Sequence, residues 1–193
     1  MIEVELKFPV TDAQTLREQL DQLGGRKAST ENHVDTYFNH PCRDFAETSE
    51  ALRIRKIDGL PYVTYKGAKL PGEVKARREL EWSLGESDGN ERPNNGSNMQ
   101  ELLTLLGFRE VANVHKCRES YVIEDESGPI SVTIDRVEQL GTFAEVEVIA
   151  EDDTQVETAR TRVTDLAKKL KLENSEPRSY LRLLLVRREG QSS

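Results

Sequence analysis

Ile2-Glu3-Val4-Glu5-Leu6-Lys7-Phe8, near the start of the chain, alternates apolar and charged side chains. A period of two puts Ile2, Val4, Leu6 and Phe8 on one face of a β-strand and Glu3, Glu5 and Lys7 on the other. Taken alone, such a strand has an ordinary explanation: a polar face turned to water and an apolar face turned to a core. The alternation returns along the chain, however. Arg53 and Arg55 flank Ile54, Thr64 and Lys66 lie beside Val63 and Tyr65, and Arg77, Glu79 and Glu81 oppose Leu80 and Trp82. It continues in Lys116 and Arg118, in Ser131, Thr133 and Asp135 opposite Val132 and Ile134, and in Glu145 and Glu147 opposite Ala144, Val146 and Val148. Solvent-facing strand positions favour Thr and scattered Lys or Glu, whereas this face concentrates Arg pairs and closely spaced carboxylates. Carboxylates at i and i+2 stand about 7 Å apart on one strand face, which costs energy unless a cation lies near them. Arg53 with Arg55, and Lys116 with Arg118, ask equally for an anion.

Working outward, strands are expected at 33–38, 51–57, 61–67 and 75–84, then at 108–124, 130–137 and 142–150. Asp58-Gly59, Pro71-Gly72, Ser127-Gly128-Pro129 and Leu140-Gly141 mark turns between them. Leu16, Leu20 and Leu23 recur at helical spacing after Thr11 or Asp12, which predicts a helix over about 12–23 stopped by Gly24-Gly25. A short helix at 98–106 and a longer amphipathic one after Asp152-Asp153 follow, and Tyr180–Val186 forms a short apolar closing element. Residues 85–97 are breaker-rich and read as a loop.

The charged face is either the open side of a flat sheet or the lining of a closed barrel. Three amphipathic helices are available to cover the apolar faces, and closure removes exposed strand edges. The expected fold is therefore α+β: a closed antiparallel β-barrel of about eight strands with a polar, charged lumen and helices packed outside. Residues 1–193 are read as a single domain. Unpaired ions in a dry interior are costly, so such a lumen is wet and its charges are paired or neutralised by ligand. A polyanion with divalent metal satisfies both charge sets. Mg²⁺ or Mn²⁺ takes oxygen ligands such as Glu3, Glu5, Asp135, Glu145 and Glu147 could offer, while Arg and Lys suit phosphate.

A net charge of −8, with 32% charged and 36% hydrophobic residues, disfavours a general nucleic-acid binder. The chain has neither a signal-like start nor an apolar run long enough to cross a bilayer, which predicts a cytoplasmic protein with no membrane partner. Cys42 and Cys117 lack metal-site spacing and read as free thiols, and His33, His40 and His115 lack paired spacing and read as surface or loop residues. Trp82 and Tyr121 read as barrel-wall packing. No P-loop, dinucleotide or serine-hydrolase motif is present.

On these residues the chain resembles the CYTH family, the triphosphate tunnel metalloenzymes, which contains class IV adenylate cyclases and thiamine triphosphatases. The resemblance spans nearly the whole chain: the ExExK motif at Glu3–Lys7, Asp35-Thr36-Tyr37-Phe38, Leu52-Arg53-Ile54-Arg55, Lys66-Gly67 and Arg78-x-Leu80-Glu81. It continues in Lys116-x-Arg118-x-x-Tyr121, Asp135, and Leu140-Gly141-x-Phe143-x-Glu145-x-Glu147, and Pro177-Arg178-Ser179-Tyr180 looks like the cyclase branch. ExExK alone is weak; the ordered set is specific. The resemblance implies that Glu3, Glu5, Asp135, Glu145 and Glu147 hold metal and that Lys7, Arg53, Arg55, Lys66, Lys116 and Arg118 hold phosphates, with Arg77, Glu79 and Glu81 as further tunnel residues. Ala68-Lys69-Leu70-Pro71 departs from the family's cleaner Gly-Pro turn. The implied activity is conversion of ATP to cyclic AMP, in which the ribose 3′-hydroxyl attacks the α-phosphorus and pyrophosphate leaves. Two alternatives stand: a triphosphatase acting on thiamine triphosphate or inorganic triphosphate, and a non-catalytic polyphosphate-binding module. No catalytic acid or base is identified. The expected partner is a nucleoside or organic triphosphate, and the helical outer faces would let two copies pair as a homodimer.

Overall fold

The computed structural model describes residues 2–72, 74–85 and 96–191. Strands β1 (Ile2–Pro9), β2 (Arg26–Asn39), β3 (Ala51–Ile57), β4 (Leu60–Lys66), β5 (Lys75–Ser83), β6 (Arg109–Asp125), β7 (Gly128–Val137) and β8 (Gly141–Ala150) form a closed barrel in the order β1-β5-β4-β3-β2-β6-β7-β8. Every pairing is antiparallel. Helices α1 (Ala13–Gln22), α2 (Phe45–Thr48), α3 (Ser97–Leu105), α4 (Val156–Lys169) and α5 (Tyr180–Gln191) lie outside it. None of the described helices is long and apolar enough to cross a membrane.

Register turns the alternation of β1 into a wall. Directly paired residues share a face. Glu3 faces Arg77 and Ile149, Glu5 faces Lys75 and Glu147, and Lys7 faces Glu145, so the charged side of β1 meets the charged sides of β5 and β8. The opposite side carries Ile2, Val4 and Phe8, which are buried against Leu16 and Leu20 of α1 and Val163, Leu166 and Ala167 of α4. Asp12 caps α1, accepting from Gln14 N and Thr15 N at 2.9 and 3.0 Å. A second apolar cluster joins Tyr180 and Leu184 of α5 to Tyr37, Val114, Val137 and Phe143; a third seats Leu103 of α3 on Phe38 and Ile54. Asp58 (φ 47°) and Gly59 (φ 92°) both adopt left-handed backbone between β3 and β4, as a tight two-residue hairpin needs.

Four expectations change, the first being His33, which is not a surface or loop residue but lies buried within β2. β2 begins at Arg26, not near residue 33, because residues 26–32 are polar on both faces and carry no alternation to read; pairing with the long β6 defines them as strand. α2 is one turn, too short to show a helical period; Asp44 caps it at Ala46 N and buried Phe45 anchors it. Trp82 does not pack into the wall: it is 53% exposed beside Val63 on the outer face, whereas the covering helices lie chiefly against β1, β6 and β8. Tyr121 is buried as expected. Most of the loop expected over 85–97 lies outside the described residues.

Candidate active site

A cavity of about 1250 Å³ occupies the lumen. Among the residues expected to form the site, Glu3, Glu5, Lys7, Glu145 and Glu147 line it from β1 and β8, and Arg53, Arg55 and Lys66 from β3 and β4. Arg77, Glu79 and Glu81 line it from β5, and Lys116 and Arg118 from β6. Asp135 does not open onto it: it is completely buried behind Lys116 and Arg118.

The cations are held in two aspartate-centred clusters. Arg55 grips Asp35 with both ends of its guanidinium (Nε to Oδ1 2.7 Å, NH2 to Oδ2 2.8 Å), and Arg53 reaches the same carboxylate at 3.3 Å. On the adjoining strands β6 and β7, Arg118 grips Asp135 in the same bidentate way at 2.7 and 2.5 Å, and Lys116 donates to it at 2.9 Å. Arg118 also donates to Glu145. Burial opposes ionisation of each aspartate, but the paired cations outweigh it and hold both carboxyls far below their ordinary range. Lys116 pays for its enclosure: burial, and then the neighbouring Arg118, push its ammonium down to about 8.

The β1 side is arranged differently. Lys66 Nζ lies 2.8 and 2.6 Å from the two oxygens of Glu3 and 2.7 Å from Glu79, and Lys75 Nζ lies 2.8 Å from Glu5. Burial raises the Glu5 carboxyl, but the charges of Lys75, Lys66 and Lys7 together outweigh it and bring it to about 2. Glu147, directly opposite Glu5, makes no ion pair among the described residues. Enclosure, then the charge of Glu3, push its carboxyl up to about 8. Glu79 is raised as well, by burial first, with the charge of Glu3 adding to it. Lys7 makes no ion pair either among the described residues; its ammonium donates to the Arg178 carbonyl and lies 4.3 Å from the centre of the Tyr180 ring.

The donor set fits a hard divalent cation. It consists of carboxylate oxygens, with neither thiol nor imidazole among them, and Glu147 stands opposite Glu5 without a counter-ion. Among the described residues no three Asp, Glu, His or Cys side chains converge closely enough to hold an ion in this arrangement; Glu3 and Glu5 are engaged by Lys66 and Lys75 instead. A metal would take those carboxylates over and release both lysines toward an anion.

Sequence reasoning alone misses Asp35, Lys75 and Tyr180 as site residues. Lys75 shares the parity of Arg77, Glu79 and Glu81, so carrying the alternation one step further back reaches it. Asp35 shares a face with Tyr37 and sits opposite Arg55, which only the β2–β3 register reveals. Tyr180 follows a stretch with no periodic signal.

The CYTH domain family matches residues 1–180. A Methanocaldococcus jannaschii protein, named provisionally as an adenylate cyclase, is 37% identical over 185 residues, covering 95% of this chain and 98% of that one. The adenylate cyclase CyaB of Aeromonas hydrophila is 28% identical over 185 residues, covering 92% and 86%. Among solved structures, the Pyrococcus horikoshii protein PH1819 superposes with a TM-score of 0.81 at 37% identity over 96% of this chain and 99% of that one. A Hippeastrum protein, described as having a dominant triphosphatase activity, shares the fold with a TM-score of 0.62 at 19% identity over 98% and 95%. With the family match running from the first strand to the start of the last helix over a closed, charge-lined barrel, the chain belongs to the CYTH domain family.

Proposed function

We propose that this chain binds the polyphosphate of ATP in the lumen together with Mg²⁺ or Mn²⁺ and converts ATP to cyclic AMP and pyrophosphate. The observation that carries the phosphate and metal reading is the division of the lumen: Arg and Lys side chains gathered by two buried aspartates face Glu3, Glu5 and an unpaired Glu147. A hard divalent ion held by Glu3, Glu5 and Glu147, with Glu145 beside them, would neutralise charge on the polyphosphate. Arg53, Arg55, Lys66, Lys116, Arg118 and Lys7 then orient the phosphates, and the barrel wall limits access of bulk water. In the cyclase reaction the bond from ribose O3′ to the α-phosphorus forms, the bond from that phosphorus to the bridging oxygen breaks to release pyrophosphate, and the 3′-hydroxyl proton passes to the pyrophosphate or to solvent. The relatives named for adenylate cyclase support this choice.

A triphosphatase is the second reading, favoured by the dominant triphosphatase activity ascribed to the Hippeastrum protein with the same fold. There water replaces the ribose hydroxyl as nucleophile and attacks the terminal phosphorus. Incubation with ATP, thiamine triphosphate and inorganic triphosphate, each with Mg²⁺ and with Mn²⁺, separates the readings. Cyclic AMP with pyrophosphate is the expected result; orthophosphate without cyclic AMP makes the chain a triphosphatase. Tight binding without turnover under either metal makes it a polyphosphate-binding module.

A further inference from the structure

α5 opens with Tyr180, a residue only 6% exposed that lines the lumen cavity. Its hydroxyl donates to Asp135 Oδ2 at 3.0 Å, the same oxygen that accepts from Lys116 and Arg118. Two lysines of the site lie over its ring, with Lys7 Nζ 4.3 Å and Lys116 Nζ 5.3 Å from the centroid. Phe143 packs against the ring edge at 5.3 Å between centroids and an interplanar angle of 63°, so the ring has little freedom to turn. Two separate attractions therefore meet on one side chain. A hydrogen bond to a buried carboxylate fixes that carboxylate's orientation, and an aromatic face draws ammonium groups toward it.

We propose that Tyr180 is a positioning residue for the polyphosphate: through Asp135 it sets the placement of Lys116 and Arg118, and through its ring it gathers the Lys7 and Lys116 ammoniums at the same end of the lumen. The inference rests on the reading that those three cations bind phosphate. It makes the docking of the C-terminal helix a condition for a fully formed anion site, although α5 contributes no phosphate-binding cation of its own to that cluster. A purely structural tyrosine, whose hydroxyl merely finds the nearest acceptor, would contribute to the melting temperature without coupling to Lys116.

The test is the affinity for inorganic triphosphate without metal, measured by titration calorimetry on the full chain, so that turnover plays no part. Tyr180→Phe removes the hydroxyl and keeps the ring; it is expected to weaken binding about tenfold, in line with loss of a hydrogen bond to a charged group. Lys116→Met is expected to weaken binding at least as much. Because both act on Asp135, the double variant is expected to lose clearly less than the product of the two single losses. Tyr180→Leu, which removes the ring as well, is expected to bind more weakly than Tyr180→Phe. Unchanged affinity in Tyr180→Phe, or losses that simply multiply, overturns the positioning role. Equal affinity of the Phe and Leu variants overturns the part assigned to the ring. If Lys116→Met itself binds as tightly as the wild type, the phosphate reading fails first. Melting curves of all four variants separate these outcomes from loss of fold.

Discussion

The two sides of the lumen handle like charges in opposite ways. On the side built from β2, β3, β6 and β7, each buried aspartate is saturated: Asp35 by Arg53 and Arg55, Asp135 by Lys116, Arg118 and Tyr180. On the side built from β1 and β8, Glu5 and Glu147 are set directly opposite each other, and among the described residues Glu5 has an ion-pair partner and Glu147 has none. The first arrangement belongs to the fold, because removing any partner strands a buried charge. The second is incomplete among the described residues, and in the proposed function a ligand finishes it. Charge in a barrel is thus not one kind of feature: a saturated cluster presents cations in fixed geometry, and an unsaturated one defines where a cation is wanted.

The comparison can be broken most forcefully at Asp35. Asp35→Asn leaves two buried guanidinium groups without their counter-ion and is expected to cost about 3–5 kcal/mol of stability, read by urea unfolding. A loss below about 1 kcal/mol would place this aspartate with ordinary surface pairs. The other side is expected to answer in reverse. Glu147→Gln replaces a carboxyl already held near its protonated form by an uncharged group of the same shape, so unfolding should shift by less than about 1 kcal/mol. Metal-dependent turnover should nevertheless fall about a hundredfold, a barrier change of about 2.7 kcal/mol. Full activity in this variant would remove Glu147 from the metal set.

The smallest effect sharpens the contrast with the barrel's exterior. Glu119 accepts from Arg17 at 3.1 and 2.6 Å and from Lys27 at 3.0 Å, and the Arg17 hydrogen bond brings its carboxyl to about 2 against an opposing effect of burial. Its folded pKa is below the unfolded one, so its contribution is present above about pH 4.5 and is lost as pH falls through about 2. Exposure of both cations limits the gain to about 1 kcal/mol or less. Glu119→Gln should lower stability slightly at pH 6 and by less at pH 2, as measured by thermal melts at the two pH values.

Much of the barrel and its lining is legible in the sequence, for a physical reason. A β-strand's period of two separates its faces without reference to its neighbours, so Glu3, Glu5, Arg53, Arg55, Glu145 and Glu147 can be grouped from spacing, and each lines the cavity. Which charges pair depends on register between strands distant in sequence, and spacing within one strand holds no information about it. That is why Asp35 escapes notice as the holder of Arg53 and Arg55, and why Asp135 reads as a metal ligand although both its oxygens are taken by Lys116, Arg118 and Tyr180. The early part of β2 is hidden for a related reason: Arg26–Asn32 is strand because β6 pairs with it, not because its own side chains alternate.

The most direct test of the lumen as a triphosphate site is calorimetric titration of the wild type and of Lys66→Met with inorganic triphosphate, with and without Mn²⁺. Lys66 bridges Glu3 and Glu79 in the free protein and is assigned to phosphate once metal holds Glu3. One triphosphate per chain, bound more tightly with Mn²⁺ and at least tenfold more weakly by Lys66→Met, is the predicted result. No binding by the wild type, or equal affinity in the two proteins, would contradict it.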